Sequence, residues 1–308
     1  MKHFSKERIF SVSYDQFLPY LKKFYLNEVV SPKRPHYSIP GKPDDGTLLL
    51  MPAWQYEGFI GTKIITVFPG NAKKDLPSIQ GIYLLFQGES GELLATFDGP
   101  SLTTVRTAAV SGLASSILAR PDIESLLMIG TGQLCHHLIR AHASWSNIEN
   151  VFIWGRNFQS SQEKAFSLAL PHLKVQAIKN KDEMMGKVDL ISCATFSPEP
   201  LVYGNNMKNG SHLDLVGSYT PTMREADDAC LLGAKIFVDD FNALEESGDL
   251  AIPINTNIIE AKDVLGDLKA LCKNGHQRLT KLERTVFKSV GNAKSDLALA
   301  SFLMSNFE

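Results

Sequence analysis

The chain has 308 residues, 44% of them hydrophobic and 21% charged, with a net charge of -2. That balance suits a folded protein with two cores, and no basic run interleaved with aromatics occurs, so nucleic acid is not expected as a partner. Met1 to Phe10 carries scattered charges without an apolar h-region, and no window reaches the length of a membrane span, so a cytoplasmic protein without membrane contact is expected.

A helical period runs from Phe17 to Leu26 and gives way to the extended, proline-rich Ser31-Pro32-Lys33-Arg34-Pro35. Four strands follow at hairpin spacing, Thr47 to Met51, Phe59 to Phe68, Ile79 to Phe86 and Glu92 to Phe97, which predicts an antiparallel sheet. Thr103 to Leu118 reads as a helix, and Ala119-Arg120-Pro121-Asp122 breaks it. The apolar strand Leu126 to Ile129 then opens into Gly130-Thr131-Gly132-Gln133 and a helix through Leu138-Ile139. Gly130 permits a tight turn, Gly132 lets bare backbone approach a phosphate, and the helix N-terminus aims its N–H groups at that phosphate. Gly130, Thr131, Gly132 and Gln133 are therefore the expected cradle of a dinucleotide pyrophosphate, with Cys135 replacing the third glycine of the full pattern.

A second strand, Val151 to Trp154, stands at βαβ distance and ends in Gly155-Arg156-Asn157. An NAD site usually offers a carboxylate to the adenosine ribose here, whereas Arg156 can bind a 2′-phosphate bidentately and Asn157 can donate to it. NADPH is the preferred cofactor on this reading, with NADH as the alternative. A helix at Ser160 to Ala169 and strands at Val175 to Ile178, Leu190 to Ala194, His212 to Val216 and Lys235 to Val238 complete an alternating pattern that predicts a parallel, doubly wound sheet. The tail from Thr285, with its helical run Leu297 to Leu303, is assigned to the first domain. The four cysteines, Cys135, Cys193, Cys230 and Cys272, never stand in C-x-x-C spacing, and His136, His137 and His142 lack partners at ligand spacing, so no metal site is expected.

In their order and spacing, several strings resemble the ornithine cyclodeaminase and mu-crystallin family. They are Gly61 to Pro69, Asp98-Gly99 with Leu102 to Ala109, Leu118 to Pro121, Ile129 to Gly132, Asp214 to Ser218 with Arg224-Glu225, and Phe287 to Gly291. The resemblance implies an α/β fold in which a Rossmann domain, residues 119–284, is inserted in a discontinuous α+β substrate-binding and dimerisation domain, residues 1–118 and 285–308. It also implies a homodimer. Family members include cyclodeaminases, ketimine reductases, amino acid dehydrogenases and a ligand-binding crystallin, so chemistry must be read from the site.

An α-imino carboxylate calls for fixed positive charge, and a planar guanidinium supplies geometry that an ammonium does not. Arg106, by resemblance, is the carboxylate clamp. Lys63 sits in an apolar strand, and by resemblance faces the substrate, where it either holds the carboxylate or assists proton delivery to the imine nitrogen. Arg34 matches a third cationic position. Thr195, Gly217, Ser218, Ser289 and Gly291 match positions that lie along the cofactor. Asp296, a lone acid on an amphipathic helix, reads as a cap or a solvated face. The cyclodeaminases place an Asp after the Val-Gly of the fifth Rossmann strand, but this chain has Val216-Gly217-Ser218-Tyr219-Thr220. Loss of that base leaves reduction of a cyclic imino acid as the expected activity: Δ1-pyrroline-2-carboxylate to L-proline, or Δ1-piperideine-2-carboxylate to L-pipecolate. The alternatives are an ornithine cyclodeaminase that recruits Glu225 or Asp227, an amino acid dehydrogenase, and a non-catalytic NADPH-binding protein.

Overall fold

Strand-forming residues with alternating burial build one sheet, and continuous apolar runs build another, and each sheet anchors its own unit. The computed structural model describes residues 1–306 apart from 42–44, 75, 169 and 277. Contacts divide the chain into Met1–Thr107 with Asn292–Glu308, and Ala108–Gly291.

The first unit contains β1 (Lys2–Phe4), α1 (Lys6–Phe10), α2 (Tyr14–Leu26), β2 (His36–Ile39), β3 (Gly46–Trp54), β4 (Phe59–Val67), β5 (Ile79–Gln87) and β6 (Leu93–Asp98). The sheet order is β1-β6-β5-β4-β3-β2, antiparallel except that β1 joins β6 in parallel. The predicted hairpins are present, while β1, α1 and β2 are too short and exposed to show a period in the sequence. Helix α3 (Gly99–Leu118) begins in this unit and ends in the other.

The second unit contains β7 (Ser125–Ile129), α4 (Leu134–Ala143), β8 (Asn150–Trp154), α5 (Phe158–Ser167), β9 (Lys174–Ala177), α6 (Asp182–Met185), β10 (Leu190–Cys193), β11 (His212–Leu215), α7 (Asp228–Leu231), β12 (Lys235–Val238), α8 (Ala243–Glu246), α9 (Gly248–Asn255), β13 (Val264–Asp267), α10 (Leu268–Asn274) and β14 (Thr285–Lys288). Its eight parallel strands run β13-β12-β14-β11-β10-β7-β8-β9, with the direction of winding reversing between β7 and β10. Strands β10 and β11 are buried at every position, as expected of parallel strands covered on both faces. The helix expected to end at Ala169 ends at Ser167, and Ala169 lies outside the described residues.

Two expectations are corrected. Thr285–Lys288 pairs with both β11 and β12 and so belongs to the parallel sheet, and the division falls at Gly291 in place of 284. The other division falls inside α3, at Thr107, in place of residue 118. The final helix, α11 (Ala293–Asn306), does return to the first unit, where Phe302 packs against Phe17 and Tyr20 of α2 with ring centroids 5.1 and 5.2 Å apart. Among the described residues, no helix is long and apolar enough to cross a membrane.

The face of β4 under α11 is closely fitted. A Cβ on Gly61 would lie 1.9 Å from the Tyr83 hydroxyl, 2.6 Å from Tyr83 Cζ and 3.0 Å from Leu297 Cδ1, and that buried hydroxyl has no hydrogen-bond partner among the described residues. Gly61→Ala should therefore cost about 1 to 3 kcal/mol of stability through overpacking. Adding Tyr83→Phe removes the nearer of the two conflicting atoms but leaves ring carbon Cζ 2.6 Å from the new Cβ, so it should recover only part of that loss. Urea unfolding of the two variants reads both effects; equal midpoints for Gly61→Ala and the double variant would contradict the packing argument.

Candidate active site

Lys63 stands in the middle of β4, opposite Met51 on β3 and Tyr83 on β5. Gly61 and Lys63 are the buried positions of β4, two residues apart, so the strand's period of two turns both toward the same face. There the Lys63 ammonium lies 2.7 Å from Asp296 Oδ2 and donates to Thr103 Oγ1 at 3.3 Å. Arg106, one turn after Thr103 on α3, donates from Nε to Asp296 Oδ1 at 3.0 Å. One carboxylate thus bridges the two cations, each oxygen facing one of them. Their exposures are 1% for Lys63, 6% for Arg106 and 0% for Asp296.

The expectation for Asp296 is overturned. Asn292 does the local capping, its Oδ1 accepting from Ser295 N–H, and Asp296 in the first turn of α11 points into the cluster. The sequence did hold a signal: Leu297 to Leu303 is apolar almost all round, and a helix of that kind is buried together with whatever charge it carries. Burial pushes the Lys63 ammonium down to about 8, Asp296 opposes that fall, and the Arg106 and Arg34 guanidiniums add to it. Arg34 therefore belongs to the same electrostatic neighbourhood, in the half-buried segment before β2. Two buried cations against one anion leave one positive charge in excess. No acceptor among the described residues engages the terminal Nη atoms of Arg106, so its planar fork is available to a carboxylate.

In the second unit, Gly130 ends β7 with φ +119°, and a Cβ there would meet the Ala194 carbonyl at 2.4 Å. Only glycine suits that turn. At Gly132 a Cβ would meet nothing within 4 Å, so open space lies beside its backbone, and α4 begins without a side-chain cap, leaving first-turn N–H groups for an anion. A pyrophosphate fits this cradle. Thr131 and Gln133 flank Gly132, and Gly155 packs so closely that a Cβ would lie 2.7 Å from Thr131 Cγ2. Arg156 is exposed past the end of β8. Asn157 caps α5, its Oδ1 accepting from Gln159 and Ser160 N–H at 2.9 and 3.4 Å, so only its amide nitrogen remains as a side-chain donor.

Thr195, Gly217 and Ser218 come together, but with their donors turned inward. Glu225, fully buried, accepts from Thr195 N–H and Oγ1 at 2.7 and 2.9 Å through Oε1, and from Gly217 and Ser218 N–H at 2.6 and 3.3 Å through Oε2. The Ser218 hydroxyl donates to the Met223 carbonyl at 2.6 Å and lies 2.8 Å from Ser247 Oγ, so it is not presented outward. Burial pushes the Glu225 carboxyl up to about 7, with Lys288 opposing and Asp249 adding to the rise. The loop after β14 is held in a similar way: Asp239 accepts from Val290 and Gly291 N–H at 3.0 and 2.8 Å, beside buried Ser289. The sequence offers Glu225 as a base open to recruitment, and it does not single out Asp239; their role as inward acceptors is not legible locally, because their donors lie in other strands' loops. His142 is a buried tie, bonded to Ser115 at 2.8 Å and to Asp214 at 3.3 Å.

Residues 9–308 match the model of the ornithine cyclodeaminase/mu-crystallin family. An uncharacterized protein of Schizosaccharomyces pombe is 41% identical over 295 residues, which cover 91% of this chain and 89% of that one. A Delta(1)-pyrroline-2-carboxylate reductase of Colwellia psychrerythraea is 36% identical over 308 residues, 97% of each chain. Among solved structures, Thermococcus litoralis Delta(1)-pyrroline-2-carboxylate reductase in complex with NADH and L-proline superposes with a TM-score of 0.90 at 26% identity, covering 99% of this chain and 97% of that one.

Removing the shared carboxylate should expose the charge balance of the cluster. Asp296→Asn leaves two buried cations without their counter-ion, which costs about 3 to 5 kcal/mol of stability. It also takes away the group that holds the Lys63 proton, so any carboxylate ligand should be released on raising the pH through a value below 8. Thermal unfolding and carboxylate binding against pH measure the two effects, and an unchanged pH limb would mean that Asp296 does not set the charge state of Lys63.

Proposed function

This chain belongs to the ornithine cyclodeaminase/mu-crystallin family, and on that premise we propose that it is a nicotinamide-dependent reductase of cyclic imino acids. Its first substrate is Δ1-pyrroline-2-carboxylate, reduced to L-proline, and its second is the six-membered Δ1-piperideine-2-carboxylate, reduced to L-pipecolate. The observation that carries the reading is the buried Lys63–Asp296–Arg106 cluster, with its excess positive charge and open guanidinium fork. Support comes also from the relatives of similar length that bear the name of this reductase.

A reduced nicotinamide, when bound, supplies the hydride that the imine carbon gains. The side chains supply the rest. Arg106 holds the substrate carboxylate by its fork, and Lys63 and Arg34 add to the positive field that keeps the anion in place. Lys63 has a proton affinity lowered by burial to about 8, so it holds its proton less tightly than an exposed lysine and can pass it to the imine nitrogen. Asp296 orients both cations. Gly130, Thr131, Gly132 and Gln133 would hold the pyrophosphate, with Ser289 and Gly291 on a further loop at the end of β14.

Ornithine cyclisation is disfavoured by the placement of the carboxylates that would have to replace the missing Asp. Glu225 has both oxygens occupied by inward donors, and Asp227 accepts from Gly204 N–H at 2.8 Å and caps α7 through Cys230 N–H. Glu225 is thereby closed to an amine, and Asp227 is tied through Oδ1 to the start of α7. We further propose NADPH over NADH, because Arg156 stands exposed where an NAD site would present a carboxylate. The assembly we propose is the homodimer that the family resemblance implies, in the cytoplasm as the sequence reading has it.

The protein should oxidise NADPH when given either ketimine and should release no ammonia from ornithine with NAD or NADP. A positioned base typically contributes about 10²- to 10⁴-fold to a rate, so its loss should silence cyclisation while sparing the reduction. Ammonia release from ornithine at a rate comparable to ketimine reduction would overturn the assignment. For the cofactor, Arg156→Asp should weaken NADPH binding by about ten- to a hundred-fold, corresponding to about 1.5 to 3 kcal/mol for a lost charge-assisted contact, and shift the preference toward NADH. An unchanged NADPH to NADH ratio would remove Arg156 from the 2′-phosphate.

A further inference from the structure

Glu225 is completely buried, and it joins the loops that follow two neighbouring parallel strands. Its Oε1 takes both donors of Thr195, after β10, and its Oε2 takes the Gly217 and Ser218 amides, after β11. The glutamate is itself pinned: its own N–H and that of Ala226 donate to Asp249 Oδ1 at 2.7 and 3.1 Å, and Asp249 pairs with buried Lys288 at 3.3 Å. Gly217 is pressed against this arrangement, since a Cβ there would lie 1.9 Å from the Thr195 carbonyl oxygen and 2.6 Å from Glu225 Oε1.

All four of these groups are donors, and the ionised carboxylate accepts from all of them at once. A glutamine would offer an NH2 to one of the two loops and leave its donors unpaired. With their N–H groups drawn inward, the loops turn an apolar surface outward: the rings of Phe196 and Tyr219, next in sequence to Thr195 and Ser218, meet edge to face at 5.9 Å while remaining 73% and 43% exposed. A dinucleotide on a doubly wound sheet lies across the strand ends at the reversal point, here between β7 and β10. Arg156 after β8 marks the adenosine side, which leaves the ends of β10 and β11 to the nicotinamide side.

We propose that Glu225 is a positioning residue for the nicotinamide half of the cofactor, fixing the two loops and the Phe196–Tyr219 shelf against which that half rests. The inference depends on the dinucleotide reading above. Its test compares the whole cofactor with its adenosine fragment, using isothermal titration of the full-length protein with NADPH and NADH, and with 2′,5′-ADP and 5′-ADP. Glu225→Gln should weaken the dinucleotides by about ten-fold or more, while each ADP fragment binds within about two-fold of wild type. Thr195→Val, which removes one of the four donors and keeps the side chain's shape, should show the same split at about three-fold and serves if the first variant does not fold. Equal losses for fragment and dinucleotide would make Glu225 a general support of the fold and overturn the proposal. No loss in any titration would overturn it too. A wild-type protein that binds neither dinucleotide nor fragment would defeat the dinucleotide reading itself, and the proposal with it.

Discussion

Asp296 sits between two cations that the protein interior would otherwise have to expel. Moving an ion out of water costs several kcal/mol even after relaxation, and the cost is offset only when opposite charge and hydrogen bonds are in place. Here the compensation is partial, because one carboxylate faces both an ammonium and a guanidinium. On the proposed reading the deficit matters for function, because a buried site short of one negative charge attracts a small monoanion. The same requirement accounts for the course of the chain. Lys63 comes from β4, Arg106 from α3 and Asp296 from α11, the last separated from Arg106 by 190 residues. The first unit is complete only once the chain has passed through the parallel sheet and returned.

A related constraint acts at the strand ends of the second unit. Parallel strands finish in loops whose N–H groups are drawn away from any ladder, and each buried donor needs an acceptor. Glu225 gathers four donors from two loops, and Asp239 gathers two from a third. Charge-assisted bonds of this kind are roughly twice as strong as neutral ones. The rim of the sheet is therefore held from behind by carboxylates, while the exposed rings of Phe196 and Tyr219 and the open backbone at Gly132 face outward. That division of labour separates the groups that shape a binding surface from those that touch a ligand.

The legible parts of the sequence are those governed by near neighbours. Leu126 to Ile129 followed by Gly130 announced a buried strand and a tight turn, because apolar runs and glycine act through their own residues. The hairpins of β3 to β6 were equally plain. Thr285–Lys288 was not: a lysine at the end of a short apolar run suggests an edge or a tail, and its complete burial is made tolerable by buried carboxylates from elsewhere in the chain, Asp249 at 3.3 Å and Glu225 nearby. Asp296 was read as a cap for the same reason, since the cations that hold it lie far along the chain. Ser218 looked like an outward hydroxyl because its acceptor, the Met223 carbonyl, is chosen by the bend of the loop and not by spacing. What sequence periodicity leaves out is the identity of the group standing across from a buried charge.

The charge state of Lys63 shows how such long-range partners decide chemistry. Burial drives its proton affinity down, and the neutral amine that such a fall favours would neither attract a carboxylate nor give up a proton. Asp296 opposes that fall, and Arg106 and Arg34 limit how far it succeeds. The balance, at about 8, keeps the ammonium charged near neutrality yet leaves it a stronger acid than an exposed lysine. Reduction of a preformed imine asks for little beyond this from the protein: a held carboxylate, a proton close by, and no base. Cyclisation of a diamino acid would ask for a carboxylate facing outward. In this chain Glu225 and Asp239 are committed to loop amides and Asp296 to two cations, so on the proposed reading the buried charge that stabilises the fold also favours the simpler reaction.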